Sequence, residues 1–163
     1  MKMKRTSLYL MCGIPGSGKT TWVRKQIANA QCKCVHISRD EIRFSMISED
    51  EEYFSKEDEV FKKFISRIIY EIHYGNTSVI FVDATHLNEK SRNKVLDELN
   101  LNNVDLYAVN FCLPVETCLA QNELRRGDPR AYVPRSVIRR MAAQYVPPHE
   151  GEKYRYKKIL TIG

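Results

Sequence analysis

Eight consecutive residues, Gly13-Ile14-Pro15-Gly16-Ser17-Gly18-Lys19-Thr20, match G-x-x-x-x-G-K-[ST], a spacing suited to wrapping a chain of phosphates. Gly13, Gly16 and Gly18 allow positive φ and close backbone approach, so successive N–H groups can form a concave nest around a β-phosphate. Lys19 adds a mobile positive charge for the β- and γ-phosphates, and Thr20 offers a hydroxyl to Mg²⁺. With Thr21, these residues are the predicted nucleotide-binding stretch. No guanine-reading N-K-x-D tetrapeptide occurs, so ATP with Mg²⁺ is the expected ligand pair.

Moving a phosphoryl group from a bound nucleotide needs charge neutralisation, in-line positioning and a group to receive the proton of the attacking hydroxyl. Ser38-Arg39-Asp40-Glu41-Ile42-Arg43 supplies candidates. Asp40 is the candidate base, and on a helical turn Arg43 shares its face and could hold an acceptor phosphate. The same residues also read as a plain helix start with acids at its positive end. Asp83 closes an apolar run, either as an acid acting near Mg²⁺ or as a turn residue. Thr85 and His86 follow, and a lone histidine in such a place is more often a hydrogen-bonding loop residue than a catalyst. Arg125, Arg126 and Arg130 fit a lid that spreads charge over a transferred phosphate; in a chain without a nucleotide loop they would read as a solvated basic turn.

The elements that must carry these residues follow from apolar patterning. Ser7 to Cys12 is a short apolar run ahead of the glycine loop, and Trp22, Val23 and Ile27 recur at helical spacing after it. Cys34 to Ile37 reads as a second strand. Ser55 is the expected cap of a long helix with the apolar stripe Val60, Phe61, Phe64, Ile65, Ile68 and Ile72, ended by Gly75-Asn76. Val79 to Val82 is a strand ending at Asp83. Asn88 caps the next helix, Val104 to Leu113 forms a further strand, and Pro114 and Pro134 each start a helix. Lys158 to Ile162 supplies the last strand. Strands alternating with helices predict an α/β fold, a central parallel sheet with helices on both faces, and place ligands beyond the carboxyl ends of the strands.

The 163 residues suit one domain, expected over 1–163 with a helical lid at about 122–134. At 43% hydrophobic and 28% charged the chain resembles an ordinary soluble globule, and no apolar run approaches the ~20 residues that span a bilayer. The net charge of +6 gives weak support for an anionic polymer partner. Cys12, Cys32, Cys34, Cys112 and Cys118 include no C-x-x-C pair and read as buried thiols of a reducing compartment.

With these residues in view, the chain resembles the kinase domain of the polynucleotide 5′-hydroxyl kinases, within the P-loop kinase clan and its three-layer sandwich. The resemblance runs almost end to end. It is carried by Gly13 to Thr20, Ser38-Arg39-Asp40 with Arg43, Asp83 to Asn88, Asn122 to Gly127, Val133 to Ile138 and Tyr145 to Gly151. It implies ATP-dependent transfer to the 5′-hydroxyl of DNA or RNA. Lys19, Asp40, Arg125 and Arg126 would be catalytic, and Gly13 to Thr21 with Arg130 would bind ATP. Arg39, Arg43, Asp83 and Thr85 would bind the acceptor, Arg43 at its phosphate and Asp83 acting through Arg43. The cytoplasm of a bacterium or of a phage-infected cell is the expected compartment. Gln121 stands where the family often has arginine, and His86 where it has asparagine; no D-x-D-G-T phosphatase motif is present. Relatives of the same layout phosphorylate transfer RNA or small molecules, and a nucleotide-binding switch without an acceptor is a further alternative.

Overall fold

The computed structural model describes residues 4–128 and 131–163. Five strands alternate with helices along the chain: β1 (Thr6–Cys12), α1 (Lys19–Asn29), β2 (Cys34–Ser38), α2 (Arg39–Met46), α3 (Glu57–His73) and β3 (Val79–Asp83). They continue with α4 (Glu89–Leu96), β4 (Val104–Phe111), α5 (Val115–Glu123), α6 (Arg135–Gln144) and β5 (Lys158–Ile162). The strands form one parallel sheet in the order β2-β3-β1-β4-β5.

Alternation along β1 sorts the two faces. Leu8, Leu10 and Cys12 are buried with Val60, Phe64 and Ile68 of α3 and with Val95 and Leu96 of α4. Tyr9 and Met11 point the other way, toward Trp22 and Val23 of α1. On that side Trp22 meets Phe81 and Phe111 edge-on, with ring centroids 5.7 Å apart in each case. Val60, Phe64 and Ile68 stand four residues apart and are wholly buried, each worth about 1.5–3 kcal/mol of apolar burial. β1 is hydrogen-bonded on both sides and is covered on both faces, which anchors the loop that follows it.

Three local expectations change. Ser55 does not cap α3: the helix starts at Glu57 with Lys56 before it, and Ser55 Oγ donates instead to Glu51 at 3.2 Å. The fourth strand ends at Phe111, two residues short of Leu113, because Cys112 N–H turns to Ile162 O at the end of β5. The cysteines are not uniformly buried: Cys12 and Cys118 are, whereas Cys32 and Cys112 are exposed. Cys32 Sγ lies 3.8 Å from Cys34 Sγ, where the chain bends into the start of β2. The other caps form as expected, with Asn88 and Ser91 making a reciprocal capping box on α4. Among the described residues no helix is long and apolar enough to cross a membrane.

Candidate active site

The glycine loop leaves β1 and enters α1 at Lys19. Its glycines do separate jobs. Gly18 needs positive φ (90°) and has open space around it. Gly16 combines φ 84° with a close approach to α5, where an added Cβ would lie 2.3 Å from Cys118 O. Gly13 is needed for packing alone, because a Cβ there would meet Ser17 Oγ at 2.7 Å and Phe111 Cβ at 2.9 Å. Lys19 Nζ donates to Gly13 O at 2.8 Å and Ile14 O at 3.1 Å, so the ammonium is stored inside the loop. Burial lowers its pKa, opposed by the nearby Asp83 and Asp40.

A cavity of about 380 Å³ opens over the loop, lined by Gly16, Gly18, Lys19, Thr20 and Thr21 on one side. Ser38, Asp40, Asp83, Thr85 and Arg125 line it on others. These are the carboxyl ends of β1, β2 and β3: register pairs Asp83 with both Met11 and Ser38. Gly13 N–H donates to Thr85 O at 2.9 Å, tying the glycine loop to the segment after β3. Hydroxyl and carboxylate oxygens from Thr20 and Asp83 suit a hard cation held mainly by phosphates and water. Among the described residues no group of three or more His, Cys, Asp or Glu forms a metal cage by itself. Thr20 therefore fits Mg²⁺ as one protein ligand of a nucleotide-borne ion.

Asp40 sits in the first turn of α2, whose start is capped by Ser38 Oγ accepting from Glu41 N–H at 3.2 Å. The helix-start reading of this motif therefore holds, and Asp40 also faces a site. Its Oδ1 accepts from Arg43 Nη1 and, at 2.5 Å, from the Tyr53 hydroxyl. Burial, then the adjacent Asp40 charge, pushes the Tyr53 phenol well above its ordinary pKa, which keeps it a donor. Oδ2 accepts no hydrogen bond among the described residues, and the side chain is 40% exposed. Asp40, Ala84 and Thr85 also line a second cavity of about 500 Å³, so Asp40 stands where the two meet.

The other predicted residues divide. Arg43 is 4% exposed and engaged on all three nitrogens: Nη1 with Asp40 and Tyr53, Nη2 with both Glu57 oxygens at 2.8 and 2.7 Å, and Nε with Glu57 at 3.3 Å. Arg39 also turns to Glu57 and lies over the Phe61 and Phe64 rings. Asp83 makes no hydrogen bond to Arg43 among the described residues: its Oδ2 is 2.8 Å from His36 Nε2, because β2 runs beside β3 and brings the imidazole to the carboxylate. Arg125 faces the nucleotide cavity. Arg126 does not, being held by Glu123 at 2.7 Å and lying over the Tyr132 ring. Arg130 lies outside the described residues.

Sequence reading missed several parts. Glu57, read as scaffold in α3, is the carboxylate that fixes both arginines of α2. Asn122 is wholly buried and clamps the ends of the arginine segment, its amide donating to Val133 O at 2.7 Å and accepting from Val133 N–H at 3.1 Å. Arg92 and Glu152 form a fully buried ion pair beneath the second cavity, with Arg92 also donating to His86 O and Val146 O. His86, by contrast, is the hydrogen-bonding loop residue that its position suggested, taking φ 42° and bonding through Nδ1 to Met11 O. An asparagine eleven residues from its valine, or an arginine sixty residues from its glutamate, leaves no periodic signal in one sequence.

Residues 8–148 match an AAA domain family. A search of the curated proteins finds no match to this sequence. Among solved structures, a chain of the Pnkp1/Rnl/Hen1 RNA repair complex is 25% identical with a TM-score of 0.70, over 88% of this chain and 45% of that one. A fungal RNA kinase is 16% identical with a TM-score of 0.65, over 99% of this chain and 39% of that one. A gluconokinase from Sinorhizobium meliloti is 12% identical with a TM-score of 0.57, over 99% and 83%. This chain thus spans less than half the length of the first two. With the family match covering most of the sequence, the chain belongs to this AAA domain family, and its fold is that of the P-loop kinases.

Proposed function

We propose that the chain is an ATP-dependent kinase that transfers the γ-phosphate to the 5′-hydroxyl of a DNA or RNA strand. The observation that carries this reading is Asp40 at the junction of a nucleotide-sized cavity and a second, acceptor-sized one. ATP occupies the first cavity, with the loop N–H groups of Gly13 to Thr21 on its phosphates. The Thr20 hydroxyl would hold a nucleotide-borne Mg²⁺, which would supply charge neutralisation on the phosphates. Lys19 leaves the loop carbonyls for the phosphates, and Arg125 covers them from the segment that Asn122 clamps. Asp40 Oδ2 takes the proton of the 5′-hydroxyl as the new O–P bond forms and the bond to ADP breaks. Tyr53 and Arg43 hold Oδ1 and so aim Oδ2. Asp83, held by His36, lines the nucleotide cavity as a fixed carboxylate.

The test uses labelled ATP, Mg²⁺ and 5′-hydroxyl oligonucleotides, single-stranded and duplex, DNA and RNA. Asp40→Asn should lower kcat by about 10²–10⁴ with the KM for ATP within about threefold, since it removes a base and leaves the nucleotide cavity intact. Undiminished transfer in Asp40→Asn overturns the assignment. A second reading, phosphorylation of a free small-molecule hydroxyl, is favoured by the modest size of the acceptor cavity, about 500 Å³. It predicts turnover without a polymer and little salt dependence, whereas strand binding weakens steeply with salt.

A further inference from the structure

We infer that Arg140 of α6 and Phe54 form the acceptor subsite, Arg140 taking the phosphate next to the reacting nucleoside and Phe54 its base. The inference rests on the reading of Asp40 as the base for a strand 5′-hydroxyl.

Three arginines line the second cavity, and they are not equivalent. Arg43 has every nitrogen committed to Asp40, Tyr53 and Glu57. Arg39 is drawn to Glu57 and stacked on α3. A phosphate reaching either would have to displace a carboxylate from a mostly buried guanidinium. Arg140 is exposed and makes no ion pair among the described residues, and its guanidinium lies 5.5 Å from the centre of the Phe54 ring. It is the cation of this cavity that can take an anion without losing one.

Phe54 supplies the second half. It is 40% exposed at the cavity wall, while its neighbour Tyr53 is buried against it edge-on at 4.7 Å. An exposed phenyl ring fixed by packing on one side is a stacking surface for any base, and a guanidinium beside it adds cation–π attraction. Gln144, one turn beyond Arg140 on the same face of α6, lines the cavity too and brings an amide within reach of base edges. An anion site and a π-surface in the cavity that holds the proton acceptor fit a nucleotide, whereas a free sugar offers neither a phosphate nor an aromatic ring. With the 5′-hydroxyl at Asp40, the phosphate in reach is the one on the 3′ side of the same sugar.

Steady-state kinetics with three acceptors tests the assignment: a 5′-hydroxyl oligonucleotide, a nucleoside 3′-monophosphate, and the nucleoside alone. Arg140→Gln should raise KM about tenfold for the two phosphate-bearing acceptors, leave the nucleoside unchanged, and reduce the salt slope of oligonucleotide KM by about one. Arg140→Lys should recover part of the loss. Phe54→Ala should raise KM for all three by roughly 5- to 100-fold, with an unchanged thermal melt. An oligonucleotide KM unaltered in Arg140→Gln, or raised equally for the nucleoside, overturns the assignment while the strand-kinase reading stands. A wild-type enzyme that phosphorylates gluconate or another free sugar and none of the three overturns both.

Discussion

Replacing Glu152 by glutamine should cost this protein a large part of its stability. Glu152 and Arg92 are both 0% exposed at their side chains, with Nε–Oε1 at 3.0 Å and Nη2–Oε2 at 2.7 Å. The carboxylate also accepts from His149 N–H at 2.9 Å and the Tyr156 hydroxyl at 3.1 Å. Glu152→Gln keeps the shape but leaves a buried guanidinium without a counter-charge, a change worth about 3–5 kcal/mol. Set against a total of about 5–15 kcal/mol, that is about a fifth or more of the fold's stability. For a chain of this size each kcal/mol moves Tm by about 2–4 °C, so the expected drop is about 6–20 °C. Thermal unfolding followed by circular dichroism at pH 7 measures it. The double variant Arg92→Met/Glu152→Leu, which leaves no orphan charge, should recover most of the loss. Burial alone would raise the Glu152 pKa, but Arg92 and the His149 N–H outweigh it and the net shift is downward. A depressed carboxyl contributes stability above its unfolded value of about 4.5 that is lost as pH falls through the folded value. Glu152→Gln should lack that part of the acid limb. A single variant melting within about 2 °C of wild type refutes the buried-pair account.

His86 gives a second pH effect. Burial drives its pKa down to about 3, only partly opposed by its hydrogen bond to Met11 O, so the folded imidazole stays neutral. The unfolded chain takes up that proton near pH 6.5, so stability is complete above that pH and falls toward pH 3 by up to ~1.4 kcal/mol per unit. Urea midpoints between pH 7.5 and 5.5 should decline, and a decline no shallower in His86→Gln rejects the assignment. Asn122→Ala should raise the KM for ATP by about tenfold, because it leaves the Val133 N–H and C=O unpaired and releases the segment carrying Arg125, at about 1–3 kcal/mol per orphaned group. Hydrogen exchange over 123–128 should quicken in that variant; an unchanged KM for ATP would mean that the clamp does not position Arg125.

The sequence by itself determined the strands, the nucleotide loop and the Ser38 and Asn88 helix starts, because each depends on near neighbours, whereas the expected Ser55 cap did not form. Apolar runs ending at Cys12, Ile37 and Asp83 predict strands, and G-x-x-x-x-G-K-T needs only its own backbone to make a nest. Asp40 and Arg43 could be paired from spacing, since α2 brings residues three apart together. Tertiary structure decided what those groups are free to do. Arg43 has its nitrogens on Asp40, Tyr53 and Glu57, the last from the next helix, and Asp83 is held by a histidine one strand away. Arg125 was separated from Arg126 by the turn after α5, which Asn122 fixes through a valine eleven residues on. Arg140 gained its significance from having no ion-pair partner among the described residues and from Phe54, whose ring centre lies 5.5 Å from its guanidinium. Side-chain availability is the balance of all partners that packing brings within a few ångströms, and no local pattern records that balance.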